Sequence, residues 1–443
     1  MASMYFTRTP SSAGNRKTWT LSVWCKFSSD TGEMPILNAW SSDANSGHFV
    51  FKRRSTNSSL GWSQWALDNF VSQTSRDINA WYHIVLRVDT TQSTASDRAR
   101  LYINGEQVTS FATSYNLGSN EDTEINNSSI HHIGVQKWSS LGSNYFNGSM
   151  AHYHLTDGTA YAPTAFAETD STTGIWKPKT APSVNYGTNG FFLKFDNSAN
   201  MGLDSSGQGN NWTTNGTIIQ NKDTPTNVFA TLNPLTRPTS SGNNTFSNVN
   251  SEMTNSADAF RTTFATLGAS KGKYYWEAKF LSGEMKQMIG VSKPQETMDF
   301  VGQSSGSWGW QNENARRYNN NSYTSYGSTA SSGDIMMVAF DATNGAIWVG
   351  KNGSWFNSAT QSEIEAGTVT NAMFSSITID DYFLPAFTTE DSNIQVNFGN
   401  GYFGTTAVSS AQNPSDGIGI FEYSVPSGYK ALCTKSINAQ EYS

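Results

Sequence analysis

Apolar and polar residues alternate along most of the chain, the period of a strand with one face in a core, while a sustained 3.6-residue period is hard to find anywhere. The alternation predicts strands over Trp19–Phe27, Trp81–Val88, Arg100–Ile103, Ile130–Val135, Gly148–Leu155 and Phe191–Phe195. Asn104-Gly105 follows Ile103, and because both positions tolerate positive φ, RLYINGEQV reads as a hairpin closed by a two-residue turn. A second block predicts strands over Lys273–Phe280, Met288–Val291, Asp334–Asp341, Ala346–Gly350, Phe383–Phe387 and Ile394–Phe398, with Gln303–Ser332 as a long polar loop. Between the blocks, Asp223–Pro238 lacks alternation and carries Pro225, Pro234 and Pro238, which marks it as a linker. The expectation is an all-β chain of two β-sandwich (jelly-roll) domains in tandem with very little helix: a first domain over 1–222, a linker with the first strands of the second domain over 223–264, and a second sandwich with a C-terminal extension over 265–443.

Composition supports folded sandwiches. The chain has 37 Gly, and only 14% of its residues are charged, a mixture that suits short strands joined by many turns. Its 14 Trp, 18 Tyr and 25 Phe supply enough apolar area to offset chain entropy in two cores. A net charge of −7 with no basic run longer than Lys52-Arg53-Arg54 speaks against a nucleic-acid partner and against an anionic membrane surface. The start MASMYFTRTPSSAGNRKTW has no apolar signal-peptide core, and no stretch approaches a spanning helix, so synthesis in a cytoplasm and no membrane insertion are expected. The two cysteines, Cys25 and Cys433, are far apart and read as ordinary thiols.

In the first block WTLSVWCKF, WYHIVLRVD, RLYINGE, HHIGV and FNGSMAHYHL occur in an order that resembles the laminin-G-like branch of the concanavalin A-like lectin and glucanase superfamily, over about 15–220. In the second, KGKYYWEAKF, MIGV, GSWGW, SGDIMMVAFD, AIWVGKNGSW, FLPAF and IQVNFGN resemble a SPRY domain over about 265–405. The SPRY resemblance implies a bent sandwich whose loops bind protein or peptide and which lacks catalytic machinery. The tandem, the Ser/Thr/Asn-rich loops, MASMYFTRTPSS and YSVPSGYKAL resemble virion proteins of marine tailed bacteriophages. That resemblance implies a tail fibre, receptor-binding spike or capsid decoration in the virion, a homo-oligomer that touches other virion proteins and host-surface glycan or protein.

A glucanase of this superfamily would carry Glu-x-Asp-x-Glu on one strand, so that its carboxylates share a face; the motif is missing, and Glu121-Asp122-Thr123-Glu124 has the wrong spacing. A polysaccharide-degrading glycoside hydrolase is therefore the alternative rather than the reading. All six histidines fall in the first block, and His152 and His154 could share a strand face, yet the spacing suggests no third metal ligand. Calcium is the cation the laminin-G-like resemblance implies; Asp196, Asp204 and Asn210 could ligate it, and DSSGQGNN fits an Asx-turn equally well. Aromatic residues on loops are the better binding lead, because Trp and Tyr form flat platforms for sugars and anchors for peptides. GWSQWALDNF offers Trp62, Trp65 and Asp68, with Trp138 on another loop; in the second block Arg316, Arg317, Tyr318 and Tyr323 are candidates, while Trp308 and Trp310 read as packing. Without a paired acid and base, reducing-sugar release from a panel of algal and bacterial polysaccharides should stay at background; release that disappears on mutating Glu121 or Glu124 would establish the hydrolase instead.

Overall fold

The computed structural model describes residues 4–28, 32–42, 47–64, 67–75, 77–78, 80–236, 244–283 and 286–441. It divides into two compact units, Met1–Gln220 and Asn221–Ser443.

The strands of the first unit are β1 (Tyr5–Arg8), β2 (Thr18–Phe27), β3 (Met34–Trp40), β4 (His48–Arg53), β5 (Ser59–Gln64), β6 (Leu67–Thr74), β7 (Trp81–Asp89), β8 (Ala99–Ile103), β9 (Glu106–Gln107), β10 (Phe111–Thr113), β11 (Ile130–Ile133), β12 (Val135–Lys137), β13 (Leu141–Tyr145), β14 (Gly148–Asp157), β15 (Ala167–Thr169), β16 (Trp176–Pro178), β17 (Phe191–Leu193) and β18 (Thr213–Asn215). Two antiparallel sheets form the sandwich, one ordered β10-β6-β5-β4-β3-β11-β1-β18 and the other β17-β14-β2-β7-β8-β9. Alternate residues of β2 (Trp19, Leu21, Val23, Cys25 and Phe27) meet Ile36, Phe49 and Trp62 of the facing sheet in one core. The other half of β2 (Thr20, Ser22, Trp24 and Lys26) is buried as well, so this strand is covered on both faces. The β8–β9 turn is as the sequence requires: Asn104 and Gly105 lie at φ 51° and 89°, and Ile103 pairs with Glu106 across it.

The second unit contains β19 (Thr245–Ser247), β20 (Glu252–Asn255), β21 (Arg261–Phe264), β22 (Lys273–Gly283), β23 (Met288–Ser292), β24 (Ser307–Gln311), β25 (Arg316–Asn319), β26 (Ser322–Ser325), β27 (Ile335–Asp341), β28 (Ala346–Lys351), β29 (Ser354–Trp355), helix α1 (Gln361–Ala366), β30 (Leu384–Thr389), β31 (Ser392–Asn397), β32 (Tyr402–Phe403), β33 (Thr406–Ala407), β34 (Lys430–Ala431) and helix α2 (Thr434–Glu441). One sheet runs β19-β20-β31-β22-β27-β28-β29, with β34 also on β22; its partner runs β21-β30-β23-β24-β25-β26. Between them Trp276, Phe280, Val338, Ile347, Ile289 and Trp310 form the core. Again the central strands are buried on both faces, since Tyr275, Met337 and Trp348 pack on the other side against Ile364, Phe421 and Tyr429. Glu277 pins that outer layer: it accepts the backbone N–H groups of Glu422 and Tyr423 at 2.9 and 2.8 Å and the Tyr275 hydroxyl at 2.9 Å. Burial pushes its carboxyl up to about 7 from 4.5 while the hydrogen bonds pull it down. A carboxyl raised in this way stabilises the unit below its ordinary pKa, and that share is lost as pH climbs toward 7.

Two sequence expectations are corrected. Gln303–Ser332 is not a loop but holds β24, β25 and β26, a polar meander in which Asn and Ser stand at turn and edge positions and hide the strand period. Asp223–Pro238 is not a free linker over its described part. Phe229 bridges to Cys433, the Ala230 N–H donates to the Leu432 carbonyl at 3.0 Å, and the Leu232 N–H donates to the Asn250 carbonyl at 2.9 Å. The prolines break the alternation, yet the backbone N–H groups from Val228 to Asn233 all find acceptors and the segment buries Phe229 and Leu232 in the second unit. Pro238 lies outside the described residues. Phe229→Ala in a fragment spanning 221–443 should therefore cost about 3–5 kcal/mol in urea unfolding, the penalty for emptying a buried aromatic site; a linker residue would change nothing.

Candidate binding surfaces

The outer face of the eight-stranded sheet in the first unit gathers rings and polar groups. Because Leu37 and Ala39 of β3 and Phe49 of β4 point into the core, Asn38 and Trp40 of β3 and His48 of β4 face outward. The β12–β13 hairpin lies over β3 and delivers Trp138 at its turn, where the Trp138 N–H donates to the Ser140 carbonyl at 3.0 Å. The Trp138 ring stacks on His48 with centroids 4.4 Å apart and planes 21° from parallel, and it remains 40% exposed. His48 is fixed from behind, with Nε2 3.2 Å from the Asn38 amide nitrogen, while the Asn38 carbonyl accepts the Lys137 backbone N–H at 2.8 Å. Lys137 places its ammonium 4.9 Å from the Trp40 ring centroid. Nearby, Lys52 pairs with Glu33 at 2.8 Å and reaches Gln136 at 3.3 Å. The result is an indole displayed on a braced imidazole, with the polar groups of Asn38, Gln136 and Lys52 buried and paired with one another or with the backbone and Glu33.

Asp68 belongs to the same sheet, accepting the Ser63 hydroxyl at 2.5 Å and pairing with Arg54. Trp62 does not join the surface: it is 1% exposed, in the core against Phe111, because GWSQWALDNF is the β5–β6 hairpin rather than an exposed loop. Trp65 lies outside the described residues. Sequence reasoning missed His48, Trp40, Asn38 and Lys137, which are distant in the chain and carry no motif.

The calcium candidates form a braced turn. Both Asp204 oxygens are occupied, by the Phe192 and Ser206 N–H groups on one and the Asn210 N–H and Ser206 hydroxyl on the other, at 2.8–2.9 Å. Asn210 gives its amide hydrogens to the Thr188 and Gly190 carbonyls and takes the Arg8 guanidinium on its oxygen. Asp196 is exposed. A guanidinium already stands where a cation would bind, so these residues do not fit calcium. Among the described residues no group of three His, Cys, Asp or Glu side chains could hold a metal ion. Nor are Glu121 and Glu124 free as acid and base: Glu121 accepts Gln64 and the Gly118 N–H, and Glu124 is buried beside Arg16 at 3.4 Å.

In the second unit the four candidates sit on the β25–β26 hairpin, where Tyr318 pairs with Tyr323 and Arg317 with Thr324. Arg316 and Arg317 consequently point to opposite faces. Arg316 lies 4.2 Å above the Tyr323 ring, and a row of aromatics continues through Tyr318 and Phe300 to Phe260 at 5.3, 5.6 and 5.5 Å. Tyr323 is 54% exposed, but Tyr318 is only 9% exposed and donates its hydroxyl to Gln311 at 3.1 Å. Arg317 is tied to the Met373 carbonyl and to Thr324. Tyr318 and Arg317 are thus fold residues rather than free anchors: on one face of the hairpin Tyr318 is covered by Phe300 and Tyr323, and on the other Arg317 is spent on Met373 and Thr324. Trp310 is core and Trp308 is half-buried against it, as the sequence suggested.

Two separate β-sandwiches with flat, ring-bearing outer surfaces define a protein of binding modules. Residues 3–164 match the profile of the concanavalin A-like lectin/glucanases superfamily, and residues 273–401 match the SPRY domain. The chain thus carries these two domains in tandem, and domains of both kinds mediate protein or carbohydrate binding. No curated protein matches the chain. Among solved structures it is similar to the SPRY domain of human HERC1, with 18% identity over 33% of this chain and 87% of that chain and a TM-score of 0.26. It is similar also to the PSpry domain of TRIM65, at 14% identity over 38% of this chain and 88% of that one, with a TM-score of 0.27. The stonustoxin structure matches at 18% identity and a TM-score of 0.28, over 38% of this chain and 27% of that chain. Tyr318→Ala should cost about 3 kcal/mol of unfolding free energy in the second unit, whereas Arg316→Ala, which removes a cation–π contact at the surface with the exposed Tyr323, should cost about 1 kcal/mol or less; equal losses would mean that Tyr318 is not the buried member of this face.

Proposed function

We propose that the protein is a non-catalytic adhesion component of a bacteriophage virion, a tail fibre, receptor-binding spike or capsid decoration, that holds host-surface carbohydrate through its first domain and protein neighbours through its SPRY domain. One observation carries the binding half of this reading: Trp138 is displayed at 40% exposure on His48, with the half-buried Lys137 next to it in the chain and Asn38 bracing the imidazole from behind. Sugar rings present a C–H face to such an indole. The virion half rests on the resemblance of the tandem and of MASMYFTRTPSS and YSVPSGYKAL to virion proteins of marine tailed phages. Assembly as a homo-oligomer would multiply weak single-site contacts into firm attachment. Among the described residues no helix is long and apolar enough to cross a membrane.

The test has two arms. Trp138→Ala should weaken binding to an array of algal and bacterial polysaccharides by more than about 1 kcal/mol, roughly fivefold or more, with unfolding free energy changed by no more than about 1 kcal/mol. Antibody labelling of purified virions in the electron microscope should place the chain on the particle. Unchanged polysaccharide binding by the variant would remove the glycan platform, and virions that carry none of this chain would remove the virion role.

A further inference from the structure

The outer face of the six-stranded sheet in the first unit is aromatic and carries three histidines. Trp24 of β2 stacks on His83 of β7 at 4.8 Å, and His154 of β14 stacks on Phe192 of β17 at 3.9 Å, with His152 6.4 Å from His154. A soluble sheet exposes such a face or covers it, and here residues 159–190 form the cover. Phe166 packs 5.2 Å from His154, the Tyr186 hydroxyl lies 2.9 Å from His154 Nδ1, and the Tyr161 N–H donates to the Thr20 hydroxyl at 2.8 Å. The decisive contact is Trp176 of β16, whose indole Nε1–H donates to His83 Nδ1 at 3.0 Å. An indole nitrogen can only donate, so Nδ1 must be bare and the His83 proton must sit on Nε2, which faces the Ser22 hydroxyl at 2.9 Å. Protonating His83 would set one N–H against another and break the contact.

We propose that residues 159–190 are an acid-released cover, latched at neutral pH by the Trp176–His83 hydrogen bond, which lifts from the aromatic face when the histidines beneath it take up protons. Burial holds the neutral form of all three: His83 is brought down to about 3 from 6.5, and His152 and His154 are also lowered. The charged neighbours act in both directions. Lys194 disfavours a proton on His152 and Asp196 favours it; on the cover, Lys177 is engaged with Asp170 and Glu168, Arg87 of β7 is given to the Ala160 carbonyl, and burial pushes the Tyr186 phenol up, so that it stays neutral at acid pH. The sign follows from linkage. Above 6.5 open and closed forms bind the same number of protons; as pH falls from 6.5 toward 3, the open form binds protons that the closed form refuses, so closure weakens. With His83 at its ordinary pKa when uncovered, opening rises about 30-fold at pH 5 from that residue alone.

The experiment uses two tryptophans on one strand of the full chain: Trp24 lies on the outer face at 3% exposure, stacked on the His83 that Trp176 latches, and Trp19 lies in the inter-sheet core at 0%. Hydroxyl-radical footprinting should show Trp24 oxidation rising by tens of fold between pH 7 and pH 5 while Trp19 stays protected. His83→Gln keeps a carbonyl for Trp176 but cannot titrate, and should lose most of the rise. Trp176→Phe, which removes the latch, should raise Trp24 oxidation at pH 7. The proposal is overturned if Trp24 oxidation is flat with pH, if Trp19 and Trp24 rise together as in whole-domain unfolding, if His83→Gln retains the full response, or if Trp176→Phe leaves pH 7 oxidation unchanged.

Discussion

The central strands β2 and β22 each carry a large aromatic side chain and buried polar groups on the face away from the inter-sheet core, and a sandwich supplies a partner for only one face. Trp24 in the first unit and Tyr275 in the second lie on the side away from the inter-sheet core. Burying a large apolar side chain is worth about 1.5–3 kcal/mol relative to leaving it in water, so each sheet needs a second layer. In the first unit that layer is residues 159–190; in the second it is α1 and the stretch through Phe421 to Cys433. Both are short elements joined by irregular chain rather than a third large sheet, which makes their polar attachments decisive.

Those attachments are of opposite character. The second unit uses an acceptor-rich carboxylate, Glu277, to gather backbone donors of the C-terminal segment, an arrangement in which four donors converge on one buried group. The first unit uses the neutral imidazole of His83 as acceptor for the Trp176 indole of its cover, with the Tyr186 hydroxyl hydrogen-bonded to His154 beside it. Acid leaves the first design short of acceptors, and base puts a charge into the dry interior of the second. Near-neutral conditions suit both.

Binding surfaces arise where a second layer is incomplete. The eight-stranded sheet of the first unit is covered on its outer side only in part, by the β12–β13 hairpin, whose turn carries Trp138 out over His48 instead of down into a core. On the second unit the β25–β26 hairpin ends its sheet, so Arg316 and Tyr323 stay at the surface while Tyr318 is drawn in. Exposure of a ring is set by which strand ends the sheet, not by the polarity of its chain neighbours.

Period and turn chemistry made the all-β class, the main strands and the Asn104-Gly105 hairpin legible from the sequence, because those features depend on residues adjacent in the chain. Trp310 could be read as core for the same reason. What tertiary structure decided was everything that needs two distant segments at once. Polar strands β25 and β26 were hidden because their Asn, Ser and Thr residues pair across a sheet edge; Asp223–Leu235 looked free because its partners lie some 200 residues away. Trp62 and Trp138 sit in equally polar stretches, and only the direction of the strand beneath each one sends the first into the core and the second into solvent. The meeting of His83 with Trp176, 93 residues apart in the chain, has no local signature, since a hydrogen bond between side chains is specified by where two backbones come to lie and not by either sequence.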